Sequence, residues 1–170
     1  MNSSELTNEE KRRIANERQN AVRKAWKNEC ERVKTGKGTR EWTNEEQKEL
    51  LDRGAIKGYE GHHMKSVSLY PQYAGEPSNI QFLTEEEHLY GAHRGSYHNL
   101  TNGYYDPYKE EMVECKGNEL PKIPEYELSN NEDIKLKEEI INSYSVGCPV
   151  NKEAKTESTQ NSEESNGYEV

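Results

Sequence analysis

Apolar positions are sparse along this chain, and they fall into short groups with recognisable spacing. Ile14, Val22, Trp26 and Val33, helped by Ala21 and Ala25, recur near helical spacing in an otherwise polar stretch. Thr7 followed by Glu10 forms a capping box ahead of them, so a long helix is expected to open there and run to Val33. Thr43 with Glu46 opens a second helix, which Gly54 closes. Thr84 with Glu87 opens a third, broken near Gly91. Ser129 with Glu132 opens a fourth, carrying Ile134, Ile140, Ile141 and Tyr144.

Between the second and third boxes the period changes. Ile56 to Gly61 reads as a short strand, and Asn79 to Leu83 alternates as a second. Val67 to Ser78, with two prolines and a glycine, reads as the loop between them. Residues 56–93 therefore run strand, loop, strand, helix. Residues 100–128, rich in Tyr, Pro and Gly, are expected to be irregular and draped over the core. Residues 151–170 are almost devoid of apolar side chains and are expected to be disordered and acidic. The chain thus divides into a basic helical segment over 1–40, a core over 41–99, an irregular segment plus helix over 100–150 and a tail over 151–170. The expected fold class is α+β.

Composition refines this picture. A hydrophobic fraction of 30% and a mean hydropathy of -1.26 allow only a modest core, which a bound metal can help to hold together. The net charge of -9 argues against a nucleic-acid partner until it is resolved by segment: residues 10–40 hold 11 basic and 4 acidic residues. Arg12, Arg13, Arg23, Lys24 and Lys27 are the expected nucleic-acid contacts in that stretch; a plain solvated helix is the other reading. Cys30, Cys115 and Cys148 are far apart, odd in number and in no CxxC pair, so they read as reduced thiols. No apolar run follows Met1 and no stretch approaches the roughly 20 apolar residues of a membrane span. The expectation is synthesis in a cytoplasm, with a signal-less export route open.

The chemistry lies in the histidines. All 5 of them fall between residues 62 and 98. Neighbouring side chains on a strand point to opposite sides, so of His62 and His63 one can bind a metal while the other takes a proton. His62, His88 and His93 would pin the third helix against the strand pair and leave a fourth coordination position open, as in a catalytic site. On an α-helix, however, the five-residue step from His88 to His93 is about 500° of rotation, roughly 140° off one face. Either the helix breaks at Gly91 and turns His93 back, or His98 is the third ligand.

The run Gly58-Tyr59-Glu60-Gly61-His62-His63, followed by Asn79, His88 and His93-Arg94-Gly95, resembles the HNH (ββα-metal) nuclease superfamily. It is most similar to the Gly-His-His branch found in bacterial polymorphic toxins, and also to colicin-type DNases. The resemblance covers about residues 41–99. It implies a small ββα-metal core with His62, His88 and His93 as ligands of one divalent ion, His63 as general base and Asn79 as the residue that braces the loop and holds the base. Zn, Ni, Co, Mn or Mg would be the ion. Double-stranded DNA is the substrate the likeness implies, and a cognate immunity protein the partner. Around these residues, Glu60 could accept a proton from an imidazole or be a solvated acid. Arg94 and Lys65 could hold a phosphate, Arg94 being the better placed; Tyr90, Tyr97 and His98 could equally be surface or packing residues. Two other classes remain open: a non-catalytic zinc-stapled module that binds nucleic acid or protein, in which His63 is dispensable, and a metal-free interaction protein.

Overall fold

A computed structural model describes residues 6–129. The fourth helix expected after Ser129, Cys148 and the tail over 151–170 lie outside the described residues. Helix α1 (Asn8–Lys34) and helix α2 (Asn44–Arg53) start at their capping boxes, with Thr7 and Thr43 accepting from the amides of Glu10 and Glu46. Gly54 ends α2 in the left-handed conformation at φ 78°, where a side chain would be strained.

The centre of this α+β fold is the antiparallel pair of β2 (Tyr59–His63) and β3 (Ile80–Thr84), in register with His62 opposite Gln81 and Gly61 opposite Phe82. Helix α1 lies against this pair through one stripe, Ala21, Ala25, Trp26, Glu29 and Val33. The small alanines let the helix close in, and Trp26 stacks on Phe82 with ring centroids 3.6 Å apart. Trp42 meets Tyr59 edge-on at 5.0 Å, and Leu50 and Ile56 complete this core. Glu29 is fully buried within it. Its carboxylate accepts from the Thr39 amide and hydroxyl and from Trp42 Nε1 at 2.7 Å, with Arg32 at 3.2 Å, so the buried charge is fully partnered.

The close approach reaches its limit at Gly61. A Cβ there would lie 2.7 and 2.8 Å from the two γ-carbons of Val22 on α1. Val22 is β-branched and has little freedom to swing aside on a helix.

Residues 100–128 are more regular than expected. They contain a hairpin of β4 (Gly103–Asp106) and β5 (Glu111–Glu114), and β6 (Tyr126–Glu127) pairs with β1 (Lys37–Gly38). The amide group of Gln81 joins the two hairpins by donating to the carbonyl and accepting from the amide of Tyr105. The expected loop between β2 and β3 holds two 3₁₀ turns, Pro71–Tyr73 and Pro77–Asn79, each with proline at its start. Among the described residues, no helix is long and apolar enough to cross a membrane.

The third capping box also forms, Thr84 and Glu87 exchanging amide and side-chain bonds at 2.9 and 3.2 Å. The element it opens differs from the α-helix with a break at Gly91 that the sequence suggests. Glu87–Ala92 is a π-helix, in which amides donate five residues back instead of four. Two distant contacts hold it. Arg40 grips the Glu87 carboxylate with both guanidinium nitrogens, at 2.8 and 2.9 Å. Gly91 rests directly on the Tyr105 ring, where a Cβ would lie 2.6 Å from the ring.

Candidate metal centre and active site

The π-turn settles how a five-residue step brings two imidazoles together. The amide of His93 donates to the carbonyl of His88 at 3.0 Å, so both side chains leave the same side of the turn. Their rings lie 5.0 Å apart, and each lies 4.9–5.0 Å from the ring of His62 on β2. One nitrogen from each of His62, His88 and His93 lies within 4.8 Å of the others. His98, the other candidate for the third position, is exposed and outside this group.

The hydrogen bonds around the three rings leave lone pairs turned inward. His88 Nδ1 donates to the Glu60 carboxylate at 2.7 Å, and His93 Nδ1 donates to the Asn99 carbonyl at 2.8 Å. In the neutral form of each ring Nε2 is then the nitrogen with the lone pair. His62 is 2% exposed, and its Nε2 is buried without any partner. An unsatisfied buried polar atom costs about 1–3 kcal/mol. Burial, followed by the charges of the other histidines, holds the His62 imidazole well below its ordinary pKa, and burial also lowers that of His93. An orphaned nitrogen facing two further free imidazole nitrogens fits a divalent ion of the late first-row kind, and the three residues could hold one.

His63 leaves β2 on the side opposite His62, as alternation requires, yet lines the same cleft. Its Nε2 lies 3.1 Å from the Ala74 carbonyl. A carbonyl can only accept, so Nε2 carries the proton and Nδ1 the lone pair. Burial lowers its pKa, with the Arg18 charge acting the same way and the Ala74 carbonyl opposing them. Asn79 is fully buried and does not line the cleft. Its side chain accepts from the Lys65 amide at 2.8 Å and donates to the carbonyls of Lys65 and Tyr73 at 3.1 and 3.4 Å. It thus ties the end of β2 to the turn that carries Ala74, the residue to which His63 is bonded.

His62, His63, His88 and His93 line one cleft of about 230 Å³. The imidazole that Glu60 reaches is that of His88. Arg94 turns away from the cleft, with its guanidinium 3.3 Å from the Leu100 carbonyl. Lys65 is fully buried, its Nζ bonded to Asn102 Oδ1 at 2.6 Å and to the Gly117 carbonyl at 2.8 Å, over the Tyr70 ring; it cannot reach a phosphate. Arg12, Arg23, Lys24 and Lys27 are exposed, outside the buried stripe of α1, and do not line the cleft. Arg13 is paired with Glu17 at 3.8 Å.

Sequence reasoning missed Arg18. Among the described residues it is the one lysine or arginine that lines the cleft. It lies four positions before Val22 and seven before Ala25, on the face by which α1 meets β2; that periodicity, weighed against a simple count of charges, was the available signal.

Part of the chain that builds this site is similar to known proteins. Residues 8–84 match the family described as GHH signature containing HNH/Endo VII superfamily nuclease toxin. The GHH match takes in α1, α2, the Gly61-His62-His63 signature and β3, and it ends before the π-helix. His88 and His93 are therefore placed at the GHH signature by the structure and not by the match. Mouse (Mus musculus) Teneurin-3 is 44% identical over 81 residues, 46% of this chain and 3% of that protein. Human (Homo sapiens) Teneurin-4 is 40% identical over 81 residues, again 46% and 3%. Teneurin-m of Drosophila melanogaster is 40% identical over 63 residues, 36% and 2%. The chain thus spans only about 3% of the length of the curated relatives it matches.

Proposed function

We propose that this chain is a metal-dependent, toxin-type endonuclease that hydrolyses phosphodiester bonds of nucleic acid. The observation that carries the proposal is the convergence of the His62, His88 and His93 nitrogens around an unpartnered His62 Nε2, in a cleft that also receives His63. The GHH match supports the reading.

In this reading His62, His88 and His93 hold one divalent ion. Such an ion would supply Lewis-acid stabilisation of the negative charge that develops as the ester is cleaved. Three neutral imidazoles suit Zn, Ni, Co or Mn better than Mg, which favours oxygen donors. His63 is the general base. Its Nδ1 takes a proton from a water whose oxygen bonds to phosphorus as the phosphorus–oxygen ester bond breaks, and the leaving oxygen is protonated from solvent. The Ala74 carbonyl stabilises the imidazolium that results, because it accepts from Nε2–H. Asn79 is a positioning residue that fixes Ala74 through Tyr73. Arg18 supplies a charged donor for the phosphate. DNA as the polymer, and an immunity protein as partner, are part of the same proposal and come from the toxin family.

The test is cleavage of supercoiled plasmid and of circular single-stranded DNA, with added divalent metals, by the natural chain and by His63→Ala. The variant is expected to lose about 10²–10⁴-fold in rate while binding as much metal per chain. Near-normal cleavage by the variant would overturn the role of His63. Full metal content with no cleavage by the natural chain would instead make this a metal-stapled binding module.

A further inference from the structure

Beside Arg18, Ser66 and Ser68, the cleft carries an aromatic and an apolar side chain where a nuclease of duplex DNA would need cations. Tyr97 stands over the imidazoles, with its ring 5.1 Å from that of His88 and 5.5 Å from that of His93, and yet it is 51% exposed. Leu100, on the same cleft, is 48% exposed. Neither side chain is used to build the core, and both turn an apolar surface to solvent on the cleft that holds His62, His88 and His93.

The charges around this rim are few. Arg18 is the one lysine or arginine of the cleft among the described residues. The groove that continues from it between α1 and the Val67–Pro71 segment adds Lys11 and Arg13, but also Glu10 and Glu17. On the other flank the Glu60 carboxylate, 2.7 Å from His88 Nδ1, adds negative charge. The remaining cations of α1 line neither the cleft nor this groove. A duplex carries one charge per roughly 1.7 Å of axis on two backbones, and non-specific duplex binding uses many phosphate contacts at once. Its stacked bases also leave no free face for an aromatic ring. A single strand brings one backbone, which one arginine and the metal centre can hold, and bases whose faces are free to stack.

We infer that the site takes single-stranded nucleic acid, with the scissile phosphate against Arg18 and an adjacent base stacked on Tyr97 beside Leu100. The inference rests on the hydrolytic reading above and names its substrate class.

It is tested on the full chain with zinc or manganese, using a labelled single-stranded oligodeoxynucleotide and the same sequence as a duplex. Both binding, by fluorescence anisotropy, and cleavage are measured. The single strand is expected to bind and to be cut at least about tenfold better. A base–aromatic stack is worth about 1–3 kcal/mol, so Tyr97→Ala should lower the single-strand-to-duplex ratio by about tenfold, and Tyr97→Phe should preserve it. Leu100→Ala should lower it less. Equal or better handling of the duplex by the natural chain overturns the inference whether or not any variant folds, as does a ratio unmoved in a folded Tyr97→Ala. If neither DNA is cut but the single strand binds with the expected dependence on Tyr97, the substrate class stands and the hydrolytic reading falls. If both are cut equally, the hydrolytic reading stands and the substrate class falls.

Discussion

His93 donates its amide to the carbonyl of His88, five residues earlier, at 3.0 Å. That single bond turns a spacing that would divide two imidazoles on an α-helix into one that unites them. It depends on Gly91 lying flat on Tyr105. Gly91→Ala should therefore push the ring or the turn, cost about 1–3 kcal/mol of stability and weaken metal binding. Tyr105→Leu in the same chain should recover part of both. Thermal melts and zinc titrations of the two variants and the double variant check this; a Gly91→Ala protein with unchanged melting and affinity would show that the contact has room to yield.

Removing metal should destabilise the fold, because the ion would relieve the orphaned His62 Nε2 and cross-link β2 to the π-helix. At a hundredfold excess over its dissociation constant a ligand adds about 2.7 kcal/mol. Chelator should lower the melting midpoint of the natural chain and leave that of His62→Ala unmoved. His93→Ala should behave like His62→Ala, whereas His98→Ala should behave like the natural chain. A midpoint indifferent to chelator in all of them would end the claim of a metal centre.

Glu60 sets the tautomer of His88 from across the strand edge, at 2.7 Å. Glu60→Gln keeps the shape but takes away the negative acceptor. Loss of such a partner behind a metal-binding histidine typically costs 10–100-fold in affinity or activity. Competition titration with a metal indicator reads it directly; an affinity within about twofold of the natural value would mean that His88 is oriented by packing alone.

Arg18 and the five basic residues singled out by charge counting make opposite demands on experiment. Arg18→Ala should lower kcat/KM on a short oligonucleotide more than alanine at any one of Arg12, Arg13, Arg23, Lys24 or Lys27. A charge-assisted hydrogen bond to phosphate is worth about 1.5–3 kcal/mol, or about 10–100-fold. If alanine at Arg23, Lys24 or Lys27, none of which lines the cleft or the groove beside it, costs as much as Arg18→Ala, the substrate runs along the helix and not the cleft.

The glycine of the Gly-His-His signature has a packing reason that can be tested apart from chemistry. Gly61→Ala should clash with Val22 and lower stability by about 1–3 kcal/mol, and Val22→Ala should restore most of the loss. Additive losses in the double variant would rule out the contact as the cause.

Features of this fold are legible in the chain to the extent that they are local. The capping boxes at Thr7, Thr43 and Thr84 involve residues three apart, and all three form. The strands β2 and β3 are legible from short runs bounded by turn residues. The π-helix is not. It is held by Arg40, 47 residues before Glu87, and by Tyr105 on a strand that itself carries no clean alternation, so neither partner is visible in a window around His88. The same limit hides the β4–β5 hairpin and the burial of Lys65. Charge counting finds the basic stretch but not its facing, and therefore passes over Arg18. The choice between His93 and His98 cannot be made while the turn between Glu87 and Ala92 is taken for an α-helix.

Lys65 leads to a different kind of conclusion. Its ammonium is sealed between Asn102, Tyr70 and the Gly117 carbonyl, at the place where the strand that carries the histidine pair hands over to the next loop. Most other lysines of the described chain stand in water and react with amine-directed reagents at once. Lys65 can do so only when the segment near Gly117 lifts away. The protein thus carries an internal clock: in a timed labelling experiment read by mass spectrometry, the rate at which Lys65 gains label measures how often this seam opens, and a bound ion that stiffens the histidine strand should slow that clock while leaving the surface lysines at their ordinary pace.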